Sequence, residues 1–156
     1  MNDKKSSDRS ILVIDDERTV LDSLVKMLKK SQYSCITATN AEDGIRLFAR
    51  ERPLLVLSDL YMPNHKDGIQ VLEEVRRIDP DAVVILYTAY THVPDVVEAT
   101  KKGAFDYIQK VETHHDILLP IERGVKFARM QRENAYLRSL LDLTDDTLFY
   151  GAIGGS

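Results

Sequence analysis

Tryptophan is absent from this chain, and cysteine occurs once, as Cys35. Without tryptophan, no anchor of that kind can be proposed for a partner surface. A lone cysteine has no intrachain partner, so disulfides are no part of the fold, and a cytoplasmic setting fits. No apolar run approaches the roughly 20 residues that span a bilayer, so no membrane contact is expected. Neither sign of charge dominates: the formal net charge is −4, which disfavours nucleic acid as a direct ligand. The first residues are polar and of mixed charge and lack a signal peptide's apolar stretch, so 1–9 read as a flexible tail. Internal repeats and low-complexity segments are missing too. What remains is 156 residues, 44% hydrophobic and 29% charged, enough for one globular domain and a short appendage.

Five short runs have the character of buried strands: Ile11 to Ile14, Cys35 to Ala38, Leu54 to Leu57, Ala82 to Tyr87, and Phe105 to Ile108. The first, third and fourth are continuously apolar, as parallel strands covered on both faces must be. The second and fifth are more polar and read as edges. Between them lie stripes of helical period. Val20, Leu21, Leu24, Val25 and Leu28 form the first. Ala41, Ile45, Leu47 and Phe48 form the second, with Asn40 as N-cap. Ile69, Val71, Leu72 and Val75 make the third. Val93, Val96, Val97 and Thr100 make the fourth, with Pro94 in its first turn and Gly103 as its stop. Alternating strands and helices predict an α/β fold: a flavodoxin-like (βα)₅ doubly wound parallel sheet of order 2-1-3-4-5. Chemistry in such sheets gathers at the carboxyl ends of the strands.

The last helix is expected from about His114 to Leu141, extending beyond the domain. Its first part offers Ile117, Leu118, Ile121 and Val125 to the sheet. Phe127, Met130, Asn134, Leu137 and Leu141 then fall at alternating steps of three and four, an a/d coiled-coil seam with Asn at an a position. The competing reading folds this helix back on its own domain. The division expected is a domain over 10–127, a coiled-coil linker helix over 128–143, and a Gly-rich linker over 144–156 toward a missing output domain.

Polar residues mark four strand ends. Asp15 and Asp16 follow the first strand, Asp59 the third, Thr88 ends the fourth and Lys110 the fifth. Each alone has a plain structural reading, such as a helix cap or a solvated charge. Together they suggest a site. Three carboxylates repel one another without a cation, and Mg²⁺ takes oxygen ligands. A carboxylate can attack phosphorus, and the developing charge then needs a metal, a lysine and a hydroxyl donor.

At this point the chain resembles the response-regulator receiver family over about residues 10–127. The matching pieces are Ile11 to Glu17, Ser58-Asp59-Leu60-Tyr61-Met62-Pro63, Asp67-Gly68, Tyr87-Thr88-Ala89-Tyr90, and Gly103 to Lys110. The resemblance implies a Mg²⁺ site at Asp15, Asp16, Asp59 and the main-chain carbonyl of Tyr61. It implies that a sensor histidine kinase phosphorylates Asp59, and that Thr88 and Lys110 bind the phosphoryl oxygens. It also implies a switch in which Thr88 turns inward and Tyr107 follows. The C-terminal part resembles the linker of NtrC-type activators, which drive an alternative-sigma RNA polymerase through an ATPase domain. The residues that carry this are Arg132 to Leu137 and Ala152 to Ser156. The implied partners are the kinase, a second copy through the last helix and the face of the fourth helix, fifth strand and last helix, and missing ATPase and DNA-binding domains.

Two departures from the receiver pattern stand out. Asn64, His65 and Lys66 separate Met62-Pro63 from Asp67-Gly68 where the family has two residues, and Val111 replaces the family's proline after the lysine. His65, His92, His114 and His115 form no metal-ligand pattern and read as surface residues. Tyr61 and Tyr90 flank the path of hydrolytic water and supply no base, so slow self-dephosphorylation is expected unless both rings face solvent. Three alternatives compete for these residues. A haloacid-dehalogenase-like phosphatase wants an acid where Tyr61 stands. A flavodoxin wants a phosphate cradle where the first turn is acidic. A degenerate receiver would act as a constitutive dimerisation module.

Overall fold

The computed structural model describes residues 9–62, 67–89, 92–110 and 114–154, with side chains of the last stretch described over 116–143. Five strands are present there: β1 (Ser10–Ile14), β2 (Ser34–Ala38), β3 (Leu55–Asp59), β4 (Val84–Thr88) and β5 (Asp106–Gln109). Five helices alternate with them: α1 (Arg18–Lys30), α2 (Ala41–Glu51), α3 (Asp67–Ile78), α4 (Val93–Lys101) and α5 (His114–Gly154). The strands are parallel in the order β2-β1-β3-β4-β5, as the sequence pattern predicts. β1, β3 and β4 are buried throughout, whereas β2 and β5 are partly exposed edges.

The period of two along each strand divides the core. Ile11, Val13, Leu55, Leu57, Ile85, Tyr87 and Ile108 pack with Leu21, Leu24 and Leu28 of α1 and Ile121, Val125 and Ala128 of α5. Leu12, Ile14, Val56, Val84 and Leu86 pack with Phe48 of α2, Val71, Leu72 and Val75 of α3, and Ala99 of α4. Each fully buried Leu, Ile or Val contributes about 1.5–3 kcal/mol.

Local chemistry sets the helix ends. Asn40 caps α2: its side-chain oxygen accepts from the Asp43 N–H at 2.8 Å while its amide donates back to the Asp43 carboxylate at 2.9 Å. Gly68 is required by close approach. A Cβ there would lie 2.4 Å from the Asp59 carbonyl oxygen and 2.6 Å from the Leu60 Cα. The Gly68 N–H donates to the Leu60 carbonyl at 2.8 Å, so α3 begins directly against the end of β3.

Helix α5 runs further than its composition suggests. It continues through Gly154, so most of the stretch read as linker is helical. Near its middle, the Arg132 guanidinium donates to the carbonyls of Arg52 at 2.9 Å and Pro53 at 3.1 Å. Beyond that clamp every residue from Glu133 to Leu143 is exposed. The helix therefore does not fold back on its own domain along that stretch.

Candidate functional site

In a parallel sheet, all strands deliver their last residues to the same edge. Asp15 leaves β1 with its N–H bonded to the Ala38 carbonyl at 3.1 Å. Asp59 is the last residue of β3, opposite Tyr87 of β4. Thr88 is the last residue of β4, opposite Gln109 of β5. Lys110 follows β5, and its N–H donates to the Thr88 carbonyl at 2.6 Å.

The convergence is tight. The Lys110 ammonium donates to Asp15 Oδ2 at 3.0 Å and to Asp59 Oδ2 at 2.9 Å. Asp15, Asp16 and Asp59 each offer an oxygen, all within 4.8 Å of one another. Asp15 and Asp59 are buried and Asp16 is exposed. Thr88 is buried at their side. An all-oxygen donor set with one open flank suits a hard divalent cation such as Mg²⁺. Asp15, Asp16, Asp59, Thr88 and Lys110 thus lie at one strand-end edge. Val111 and the residues 63–66, with the loop insertion, lie outside the described residues. So does Tyr90. Lys110 itself reaches both carboxylates.

The electrostatics are asymmetric. Burial pushes the Asp59 carboxyl above its ordinary range; the Lys110 ammonium and the Tyr61 N–H offset only part of this, and Asp15 adds to it. Burial tends to lower the Lys110 pKa, but Asp59 and Asp15 together outweigh that and hold it up. One cation thus serves two anions: it has two carboxylates, while each carboxylate has only a share of one cation.

Two further residues at this edge, Tyr87 and Asp95, escape a reading of the sequence alone. Tyr87, near the end of the apolar strand β4, donates its hydroxyl to Asp15 Oδ2 at 2.5 Å. The Lys110 ammonium lies 4.6 Å from the centre of its ring. The Tyr61 hydroxyl donates to Asp95, a buried carboxylate in the first turn of α4, which also faces the His92 Nδ1 at 3.2 Å. So the Tyr61 ring is turned to α4 rather than to open solvent, and His92 is at the surface as expected. Tyr107 is half-buried on β5, its hydroxyl pushed up to about 12 by burial and by Asp95 and Asp59. The signal for Tyr87 was available: a phenol ending a buried strand needs a partner for its hydroxyl.

Known proteins match this architecture. The model of the response regulator receiver domain matches residues 11–133. This chain belongs to the response-regulator receiver family. Among curated relatives, the regulatory protein AtoC of Escherichia coli K12 is 35% identical over 131 residues, covering 84% of this chain and 28% of AtoC. The transcriptional regulatory protein GlrR of the same organism is 37% identical over 100 residues, covering 64% of this chain and 22% of GlrR. A CheY-like receiver domain from Methanospirillum hungatei JF-1 superposes with a TM-score of 0.74 at 27% identity, covering 79% of this chain and 98% of that one. The beryllofluoride-activated NtrC4 receiver domain dimer gives 0.71 at 28% identity, covering 77% and 98%. The curated relatives are NtrC-type activators, in keeping with the C-terminal motifs, and this chain spans under a third of their length.

Proposed function

We propose that Asp59 accepts a phosphoryl group from a sensor histidine kinase and that the modified domain controls the pairing and output of an NtrC-type transcriptional activator. The observation that carries this is the bridging of Asp15 and Asp59 by the Lys110 ammonium, with Asp16 in the same cluster. That arrangement leaves a buried carboxylate at the crevice with a cation beside it, as phosphoryl transfer to a carboxylate requires.

In this reading Asp15, Asp16, Asp59 and the main-chain carbonyl of Tyr61 hold Mg²⁺. When bound, the ion neutralises charge shared by the carboxylates and the phosphoryl oxygens. Asp59 attacks phosphorus through a carboxylate oxygen, forming an O–P bond as the bond to the kinase histidine breaks. Lys110 gives one of its N–H bonds to a phosphoryl oxygen, and the Thr88 hydroxyl turns to another. Tyr107 moves into the space that Thr88 leaves. The movement reaches α4, β5 and the start of α5, a two-state element that the added charge biases. Slow self-dephosphorylation follows from the same site: Tyr61 is tied to Asp95 and offers attacking water no base.

The second half of the proposal concerns α5. Phe127, Met130, Leu137 and Leu141 are 42%, 53%, 46% and 59% exposed, and Leu140 joins them at 44%. Asn134 is exposed among them. A helix carrying these residues in a/d register, with Leu140 at the flanking g position, suits a two-stranded coiled coil with a second copy. Phe127 also stacks on Phe105, with ring centres 5.3 Å apart, so the seam begins at the domain wall.

The test is to add Mg²⁺ with acetyl phosphate or beryllofluoride and follow intact mass and light scattering, with Asp59→Asn as control. A modification and a change of assembly that both need Mg²⁺ and Asp59 support the proposal. A chain that pairs without ever being modified is a constitutive dimerisation module instead.

A further inference from the structure

Tyr87 stands out because its setting does not need it. Strand alternation puts it on the sheet face shared by Val13, Leu57, Ile85 and Ile108, where an aliphatic side chain packs as well. It is 1% exposed. Buried among hydrocarbon, an unpaired hydroxyl costs roughly 1–3 kcal/mol on mutational scales. The ring instead carries that hydroxyl up to the strand-end edge and places it on Asp15 Oδ2 at 2.5 Å, a short charge-assisted bond.

Asp15 is 0% exposed, so protein groups define its carboxylate. Oδ1 accepts from the Glu17 N–H at 2.8 Å, and Oδ2 accepts from Tyr87 and from Lys110 at 3.0 Å. An ionised carboxylate offers about four acceptor positions, so roughly one stays open, on Oδ1. The three donors differ in stiffness. The Glu17 N–H is backbone. Lys110 hangs on a flexible stem and is the group that must turn to an incoming phosphoryl oxygen. Tyr87 has two side-chain torsions and is packed along its length. When Lys110 turns away, Tyr87 keeps Oδ2 in place. Its ring face also lies under the ammonium, 4.6 Å from it. Burial and the nearby Asp15 push the phenol far above its ordinary pKa, so it remains a donor.

We propose that Tyr87 is a positioning residue of this site: its hydroxyl fixes the Asp15 carboxylate and its ring seats Lys110, so the Mg²⁺ ligands are set before the ion arrives. The proposal rests on the Mg²⁺-dependent acceptor reading above. Partners that orient a metal ligand are worth about 10- to 100-fold in affinity. The Y87F variant keeps the ring and loses the hydroxyl; Y87L loses both.

The test titrates the purified chain with Mg²⁺ alone by calorimetry, then measures phosphorylation by acetyl phosphate at saturating Mg²⁺. Y87F is expected to bind Mg²⁺ about tenfold more weakly, with a saturated rate within about twofold of the parent's. Y87L is expected to lose the affinity and also slow the saturated rate, because Lys110 loses its seat. Unchanged affinity in Y87F overturns the proposal, and so does tighter binding, which would make the hydroxyl a competitor of the ion. A parent chain labelled with ¹³C at tyrosine Cζ gives a second readout that needs no variant fold: the Tyr87 resonance must move as Mg²⁺ saturates, and a stationary one overturns the proposal. If the parent binds no Mg²⁺, the acceptor reading fails and this one with it; a parent that binds beside a Y87F that binds equally well removes Tyr87 alone.

Discussion

The strand-end site and the outer half of α5 are built in opposite ways. At the strand ends Asp15, Asp59 and Tyr87 are buried, and groups from neighbouring strands hold the carboxylates: Lys110 of the β5 end on Asp15 and Asp59, Tyr87 of β4 on Asp15. Among the described residues no buried side-chain nitrogen or oxygen lacks a hydrogen-bond partner. Along α5 from Glu133 to Leu143 the reverse holds: apolar side chains lie in the open. In the proposed reading the first region, complete within one chain, takes a small ion and a charged group. The second, apolar and exposed, takes another apolar surface. A switch needs both kinds, because an input must change a finished arrangement and an output must finish an unfinished one.

The largest expected effect breaks the site and spares the helix. Lys110→Met removes the shared ammonium and leaves two carboxylates facing each other. Phosphorylation by acetyl phosphate, followed by intact mass, should slow by about 100-fold or more. Light scattering of the unmodified protein should match the parent. A variant that phosphorylates at the parent rate would show that the ammonium plays no part in transfer.

Gly68 tests how closely the site depends on its frame. Alanine there drives a methyl group into backbone, not into a yielding side chain. Gly68→Ala should cost about 1–3 kcal/mol in urea unfolding and also weaken phosphorylation, since the displaced atoms belong to Asp59 and Leu60. A loss of stability with normal phosphorylation would separate frame from site.

The converse variant breaks the helix and spares the site. Leu137→Asp with Leu141→Asp places charges in the seam at side chains already 46% and 59% exposed. Unfolding of the monomer should change by no more than about 0.5 kcal/mol per position. Phosphorylation should be unchanged, while any association through α5 is lost in light scattering. A dimer that survives would move the interface to the face of α4, β5 and α5.

Which parts of this were legible from the chain follows from how the physics is encoded. Asp15, Asp59, Thr88 and Lys110 could be placed together because a parallel sheet obliges strand ends to meet, and periodicity alone locates the strands. Tyr87 could be marked as a phenol in need of a hydroxyl partner, but that partner has no address until the register sets the tyrosine opposite Asp59. Asp95 stands in a helix's first turn, where the dipole favours any acid, so its position alone carries no signal. Only the tertiary fold brings Tyr61 to it across 34 positions. The end of α5 misled for another reason. Glycines in the final residues argue against helix, yet the helix continues through Gly154.

The smallest effect is the most direct measure of how the site is held. Burial raises the Asp59 pKa above its unfolded value, and Lys110 does not cancel this because Asp15 shares it. An acid whose folded pKa is raised holds its proton more tightly when folded. Below the unfolded value of 3.8 both states are protonated and the group costs nothing. As pH rises from 3.8 to the folded pKa, the unfolded state ionises while the folded state keeps its proton, so stability falls; above the folded pKa the penalty stays constant. Asp59→Asn removes that penalty and leaves Lys110 paired with Asp15. In metal-free buffer the variant should melt above the parent at pH 7, and the gap should narrow as pH falls toward 4. Adding Mg²⁺ should narrow the gap at pH 7 as well, because a cation stabilises the ionised parent more than the amide. A variant that melts below the parent at pH 7 would mean that the bond from Lys110 to Asp59 outweighs burial, and that the unmodified site is a stabilising ion pair rather than a strained acceptor.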